Sequence, residues 1–167
     1  ALYVTDTWGR TLVASNWNAP KSFINQDYAN RPYVIDALAG KNGLFYGIGK
    51  TTGEPGLFMS APVRHLGAIV GMVAVKVDLR RIQETWAMAP DPIMLADARG
   101  VFFLGSVASW MYHTNKDLTQ DDLGWLARHE VYGKRQAFEK IPWSATRSDG
   151  TAYLLKTRMA GLEKNYL

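Results

Sequence analysis

At 167 residues the chain is long enough for one domain or two small ones, and an apolar share of 47% is ordinary for a folded core. The 19 basic and 15 acidic residues leave a net charge of +4, spread without the Lys/Arg run that a nucleic-acid stripe requires. Cysteine is absent, which excludes a disulfide framework and a cysteine metal site, and no apolar run approaches the ~18 residues of a membrane span. No stretch of it reads as a signal peptide.

In chain order, Leu2-Tyr3-Val4 reads as a short strand, followed by an Asp6-to-Gly9 turn and a return strand ending near Ser15. Asn16 to Asn30 is a loop. Pro32 to Ala39 is a short helix with proline in its first turn and Gly40 as its stop. Three strands follow: Leu44–Lys50, Leu57–Arg64 and Ala68–Asp78. The turn Thr51-Thr52-Gly53-Glu54-Pro55-Gly56 separates the first two, and a turn near Leu66-Gly67 the last two. Leu79 to Met88 reads as a helix, with Leu79, Ile82 and Trp86 spaced for one face. Two strands, a helix and three antiparallel strands make a PAS-like α+β module.

A second copy begins after Pro90-Asp91-Pro92. Asp97, Gly100 and Ser106 repeat Asp6, Gly9 and Ser15 at an offset of 91 residues, each Asp again following a short apolar strand. A helix from Thr119 to Tyr132 and strand-like runs at 138–146 and 151–160 continue it. The expected organisation is therefore two tandem domains, 1–89 and 90–167, each an antiparallel sheet of about five strands with flanking helices. The first copy starts inside its first strand, and the second stops where its last long strand should begin, so both ends are read as truncated.

Chemistry concentrates in the first copy. Tyr28, Arg31 and Tyr33 put two phenols and a guanidinium into six residues, and Pro32 biases Arg31 toward an extended backbone. That combination suits a carboxylate, although a surface Arg sharing its charge with Asp27 would read the same. In the strand Ala68–Asp78, Met72, Ala74, Lys76 and Asp78 share one face. Lys76 is the only charge between Ala68 and Val77, and it needs an anionic partner, either Asp78, a neighbouring Glu or a bound anion. Ser60, on the neighbouring strand with Phe58 and Pro62, falls on a face that can coincide with that of Lys76. Gly47, Gly49, Lys50, Thr51 and Thr52 offer close backbone approach, N–H groups and hydroxyls, although an ordinary turn has the same composition.

Other chemistries are not supported. Gly49-Lys50-Thr51 lacks the upstream glycine of a P-loop, because position 44 is Leu, and turn residues stand where the helix must begin. His65, His113 and His129 share no metal or triad spacing, and no nucleophile–base pair is visible. Neither a catalytic residue, a metal nor a cofactor is expected, and no nucleic-acid partner.

Ser15-Asn16-Trp17, Asp27-Tyr28 with Arg31-Pro32-Tyr33, Tyr46-Gly47-Ile48-Gly49, Thr52-Gly53-Glu54-Pro55-Gly56 and Val75-Lys76-Val77-Asp78-Leu79 together resemble one family. It is the periplasmic sensor region of C4-dicarboxylate sensor histidine kinases (Dct type), within the tandem-PDC or double-Cache superfamily. Gly100 to Leu104 and Trp110-Met111-Tyr112 extend the likeness into the second copy. The resemblance implies a membrane-distal domain that binds succinate, fumarate or malate, and a membrane-proximal domain with a structural or relay role. It implies a periplasmic location, a parent protein that spans the inner membrane and dimerises through a helix preceding this chain, and a kinase core outside it. By position it implies Tyr28, Arg31, Gly49, Lys50, Thr51, Thr52, Ser60 and Lys76 as ligand contacts, with Tyr33 beside them. Arg31 and Lys76 at opposite ends of a small pocket would read ligand length by their separation and charge by their number. In the second copy Thr119 and Asp122 stand where Tyr28 and Arg31 would be, and an Asp there would repel a carboxylate. The alternative reading is a receptor for amino acids or other small carboxylates, which needs an acid facing the ammonium. Asp78 is the candidate for that acid.

Overall fold

The computed structural model describes residues 1–141 and the short strands 155–157 and 164–166. By compactness the chain divides into Ala1–Leu79 with Leu126–Lys134, and Arg80–Trp125 with Arg135–Leu167. The helix expected at the end of the first domain therefore counts with the second unit, and a short later segment counts with the first.

The first unit is built on a five-stranded antiparallel sheet. Its strands are β1 (Leu2–Thr5), β2 (Thr11–Ala14), β3 (Gly43–Ile48), β4 (Pro55–His65) and β5 (Ala68–Val77), in the order β2-β1-β5-β4-β3. Helix α1 (Pro32–Leu38) lies between β2 and β3 in sequence, as the hydrophobic pattern indicates. The register pairs Phe58 with Lys76, Ser60 with Ala74, and Tyr3 with Ala74. Directly opposed residues share a face, so Tyr3, Phe58, Ser60, Ala74 and Lys76 stand on one side. Phe45 joins them opposite Phe58. Tyr33, Val34 and Ala37 of α1 are buried, and the Tyr33 ring stacks on Phe58 at 5.0 Å with 13° between planes. The opposite face carries Leu2, Leu44 and Met59, which remain exposed.

Local chemistry explains the edges of these elements. Pro62 sits in β4 beyond the last β3 pair, Gly43 with Ser60, so its missing N–H costs no ladder bond on that side. The β4–β5 hairpin turns at Leu66 (φ 48°) and Gly67 (φ 84°), two left-handed residues in succession, as a two-residue turn of the I′ kind requires.

The repeat seen in the sequence recurs bond for bond. Asp6 Oδ1 accepts from the backbone N–H of Trp8 and Arg10, and Asp97 Oδ1 from those of Arg99 and Val101. Ser15 Oγ accepts from the Leu2 N–H and Ser106 Oγ from the Ile93 N–H. Gly9 and Gly100 both sit at positive φ, 84° and 89°. Each Asp thus closes its hairpin turn and each Ser ties the two strands together.

In the second unit that hairpin is β6 (Met94–Ala96) with β7 (Phe102–Gly105), preceded by α2 (Arg80–Ala87). Met94, Ala96, Phe102 and Ile141 form a buried cluster under Val107, Trp110 and Met111. Among the described residues the unit's strands are this pair and β8 (Leu155–Thr157) with β9 (Lys164–Tyr166). Most of the strand-like runs expected at 138–146 and 151–160 lies outside the described residues. Helix α3 (Gln120–Arg128) ends four residues before Tyr132, the expected stop. Thr119 and Asp122 cap its start reciprocally: Asp122 N–H donates to Thr119 Oγ1 at 3.1 Å and Thr119 N–H to Asp122 Oδ2 at 3.2 Å. The Thr119 bonds hold the Asp122 carboxyl below its ordinary range. No helix among the described residues is long and apolar enough to cross a membrane.

Candidate ligand-binding site

One small cavity in the first unit gathers most of the residues singled out in the sequence. Tyr28, Arg31, Tyr33, Gly49, Lys50 and Thr51 line it, together with Tyr3, Phe23 and Phe58. Its volume is about 10 Å³, room for one water molecule. Tyr28 comes from the loop before α1, Arg31 from the helix N-cap and Tyr33 from the first turn. Gly49 to Thr51 follow β3, and Tyr3 and Phe58 are inward residues of β1 and β4. Tyr28 Oη and Thr51 Oγ1 are 2.5 Å apart, so a single hydrogen bond joins the two sides.

Arg31 has the extended backbone that Pro32 imposes, φ −83° and ψ 133°. Its side chain is not a surface charge: the residue is 1% exposed. Nη1 donates to the carbonyls of His129 at 2.9 Å and Glu130 at 2.7 Å, and Nη2 to that of Ile48 at 2.9 Å. The guanidinium carbon stands 4.7 Å from the centre of the Phe45 ring. Burial lowers the Arg31 pKa from its ordinary value, while Tyr33, Glu130 and Tyr3 act in the opposite sense. Three of five N–H groups therefore hold backbone, which leaves two.

The turn held by Arg31 has further ties to the cavity wall. Asn30 Nδ2 donates to the Arg128 carbonyl at 3.2 Å and His129 Nδ1 lies 2.6 Å from the Asn30 carbonyl. Ile48 N–H donates to the Val131 carbonyl at 2.8 Å. Lys50 Nζ pairs with Glu130 at 3.4 Å, both side chains about two-fifths exposed. Glu130 has φ 48°, a left-handed backbone uncommon for a residue with a side chain.

Lys76 lies beside the lining. Its Nζ donates to Thr52 Oγ1 at 2.8 Å and to the Glu54 carbonyl at 3.2 Å. It is 5.9 Å from the centre of the Phe58 ring, the same distance as the Arg31 guanidinium carbon. The glycines here make room for this lysine. A Cβ on Gly49 would stand 3.1 Å from Lys76 Nζ and 2.5 Å from Thr52 Oγ1, and one on Gly56 would stand 2.6 Å from Lys76 Cε. Asp78 is exposed and is not among the lining residues. Ser60 is on the predicted face, but its hydroxyl is 2.6 Å from the Tyr33 carbonyl and ties β4 to α1 without lining the cavity.

The lining phenols are neutral donors. Desolvation pushes the Tyr33 hydroxyl up to about 12 and raises those of Tyr3 and Tyr28. No carboxylate is among the lining residues. The site offers hydroxyls, N–H groups and two cations, which suits an anion rather than an ammonium. Sequence reading missed Tyr3, Phe23, Phe58 and the turn at His129–Val131. Tyr3 and Phe58 had a signal, since both alternate toward the inner face. The turn had none, being about a hundred residues from Arg31.

No protein-family model matches the chain. It is 34% identical over 118 residues to the C4-dicarboxylate transport sensor protein DctB of Pseudomonas aeruginosa, covering 71% of this chain and 19% of that protein. It is 30% identical over 157 residues to the protein of the same name from Rhizobium meliloti, covering 92% of this chain and 25% of that protein. The chain thus spans a fifth to a quarter of these relatives. Among solved structures, the sensor domain of the V. cholerae histidine kinase DctB superposes with a TM-score of 0.76 at 29% identity, over 85% of this chain and 55% of that one. The ligand-binding domain of the Pseudomonas aeruginosa amino-acid chemoreceptor PctC, solved with GABA, gives 0.53 at 24% identity over 68% of this chain and 53% of that one, a likeness of fold.

Proposed function

We propose that this chain, a homologue of the sensor region of the C4-dicarboxylate transport sensor proteins, binds a small dicarboxylate in the cavity of its first unit. The observation that carries the reading is the convergence of Tyr28, Arg31, Tyr33, Lys50 and Thr51 on one cavity whose lining has no acid. One carboxylate of succinate, fumarate or malate takes the remaining N–H groups of Arg31 and the phenols. The other meets Lys50 and the Gly49–Thr52 segment, with Lys76 held behind it by Thr52. Ser60 acts indirectly, by fixing Tyr33. A cavity of about 10 Å³ has to widen to admit such a ligand, and the Tyr28–Thr51 bond is the one to open. Both hydroxyls then exchange each other for a carboxylate oxygen.

In this reading the chain is the extracytoplasmic, periplasmic part of a two-component sensor histidine kinase anchored in the inner membrane. The second unit has a relay role, and dimerisation belongs to the parent protein. A ligand biases such a sensor only by binding its two states with different affinities.

An amino-acid ligand is the second reading, favoured by the fold shared with the amino-acid chemoreceptor. Its ammonium would need an acid, and Glu130, held by Lys50, is better placed for that than the exposed Asp78. Calorimetric titration with succinate, aspartate and alanine separates the two. The dicarboxylate reading expects succinate to bind at least about tenfold more tightly than either amino acid, and an equal or reversed order contradicts it.

A further inference from the structure

Tyr3 and Tyr33 both line the cavity, and their hydroxyl oxygens are 2.7 Å apart with Tyr3 as the donor. Two hydroxyls that share one hydrogen bond have one hydrogen left over, and with Tyr3 donating it is the hydrogen of Tyr33. The Arg31 guanidinium, which also lines the cavity, can only donate and offers this hydrogen no acceptor. Tyr33 is 1% exposed, and among the described residues its hydroxyl hydrogen has no acceptor. A buried donor without an acceptor is costly, and the space open to this one is the cavity.

The two rings are held in place. Tyr3 is fixed in β1 between β2 and β5, its ring packed on Phe23 at 5.2 Å and Tyr28 at 5.6 Å. Tyr33 is held by its stack on Phe58 and by the Ser60 bond to its carbonyl.

We propose that Tyr3 is a positioning residue for ligand specificity: by donating to Tyr33, it turns the Tyr33 hydroxyl hydrogen into the cavity as a fixed donor. Tyr33 then accepts from Tyr3 and donates to the ligand, so the group it meets must be an acceptor, such as an ionised carboxylate oxygen. An amide nitrogen or an ammonium at that point would face donors on every side. Donors in such a chain also polarise one another, which strengthens the last bond. This inference rests on the dicarboxylate reading of the same cavity.

The test is a double-mutant cycle on the chain, with succinate and its monoamide as ligands and thermal unfolding as a control. Tyr3→Phe keeps the ring and is expected to weaken succinate about three- to tenfold and to narrow the preference for succinate over the monoamide. In a Tyr33→Phe background the same change is expected to alter succinate affinity by less than about twofold, because Tyr3 acts through Tyr33. Unchanged succinate affinity in Tyr3→Phe, or losses that multiply in the double variant, overturn the relay while leaving dicarboxylate binding in place. A wild-type chain that binds neither succinate, fumarate nor malate overturns the binding reading, and the relay falls with it.

Discussion

Arg31 does two jobs that the sequence presents as one. Its segment reads as a carboxylate clamp, and the guanidinium does line the cavity, yet three of its N–H groups hold carbonyls at Ile48, His129 and Glu130. Each buried carbonyl left unpaired costs about 1–3 kcal/mol. Arg31→Ala should therefore lower unfolding stability by roughly 3 kcal/mol or more in a denaturant titration, so lost ligand binding in that variant does not by itself identify a contact. Tyr28→Phe is the cleaner probe. It removes one hydroxyl that the proposed binding mode uses and keeps the ring, and its loss should weaken succinate binding about tenfold with little change in melting temperature, given that a hydrogen bond to a charged group contributes about 1.5–3 kcal/mol. The phenols also set a pH limit. The folded Tyr33 pKa is raised to about 12 from 10.0, so the unfolded chain releases this proton first. Stability from this source is fully present below pH 10.0 and declines as pH rises toward about 12, with Tyr3 and Tyr28 acting in the same direction. Melting temperatures measured from pH 8 upward should hold until about pH 10 and then fall. A fall that begins well below that would contradict the assignment.

At the level of elements, the sequence was most legible where the chemistry is local. The Asp–Gly–Ser repeat predicted two hairpins, and both copies make the same turn and strand-tying bonds. Strand alternation put Phe58 and Ser60 on one face that could coincide with that of Lys76, and the register makes them coincide. What was not legible depends on partners far along the chain. Helix α3 was expected to reach Tyr132, but Arg31 takes the carbonyls of His129 and Glu130, and Glu130 turns left-handed. Gly49 looked like an opening for a ligand, and the nearest atoms to a Cβ there belong to Thr52 and Lys76. Two element-scale outcomes follow. Leu66 is 93% exposed and left-handed, so Leu66→Asn removes backbone strain without losing packing and should raise stability by about 0.5–1 kcal/mol in thermal unfolding. Glu130→Gln removes the carboxylate that competes for Lys50, so succinate should bind about two- to threefold more tightly. Its effect on stability should stay within about 1 kcal/mol, as for a half-exposed ion pair. Weaker binding in Glu130→Gln would mean that the carboxylate orders the site rather than competing in it.

At the scale of the whole molecule, two units carry one repeated hairpin, while the cluster of phenols and cations belongs to the first. In the second, Thr119 and Asp122 occupy the corresponding sequence positions and are spent on capping α3. That asymmetry is the basis for assigning ligand binding to one unit and relay to the other. The segment Leu126–Lys134, counted with the first unit, continues directly from α3, whose earlier turns belong to the second. In the proposed binding mode a four-carbon dicarboxylate enters this cavity and opens the Tyr28–Thr51 bond. A crystal structure of the chain grown with saturating succinate tests it most directly. The expected result is the dianion enclosed between Tyr28, Tyr33 and Thr51, with the 2.5 Å contact between Tyr28 and Thr51 broken. Succinate bound elsewhere, or that contact intact around an unchanged cavity, would contradict it.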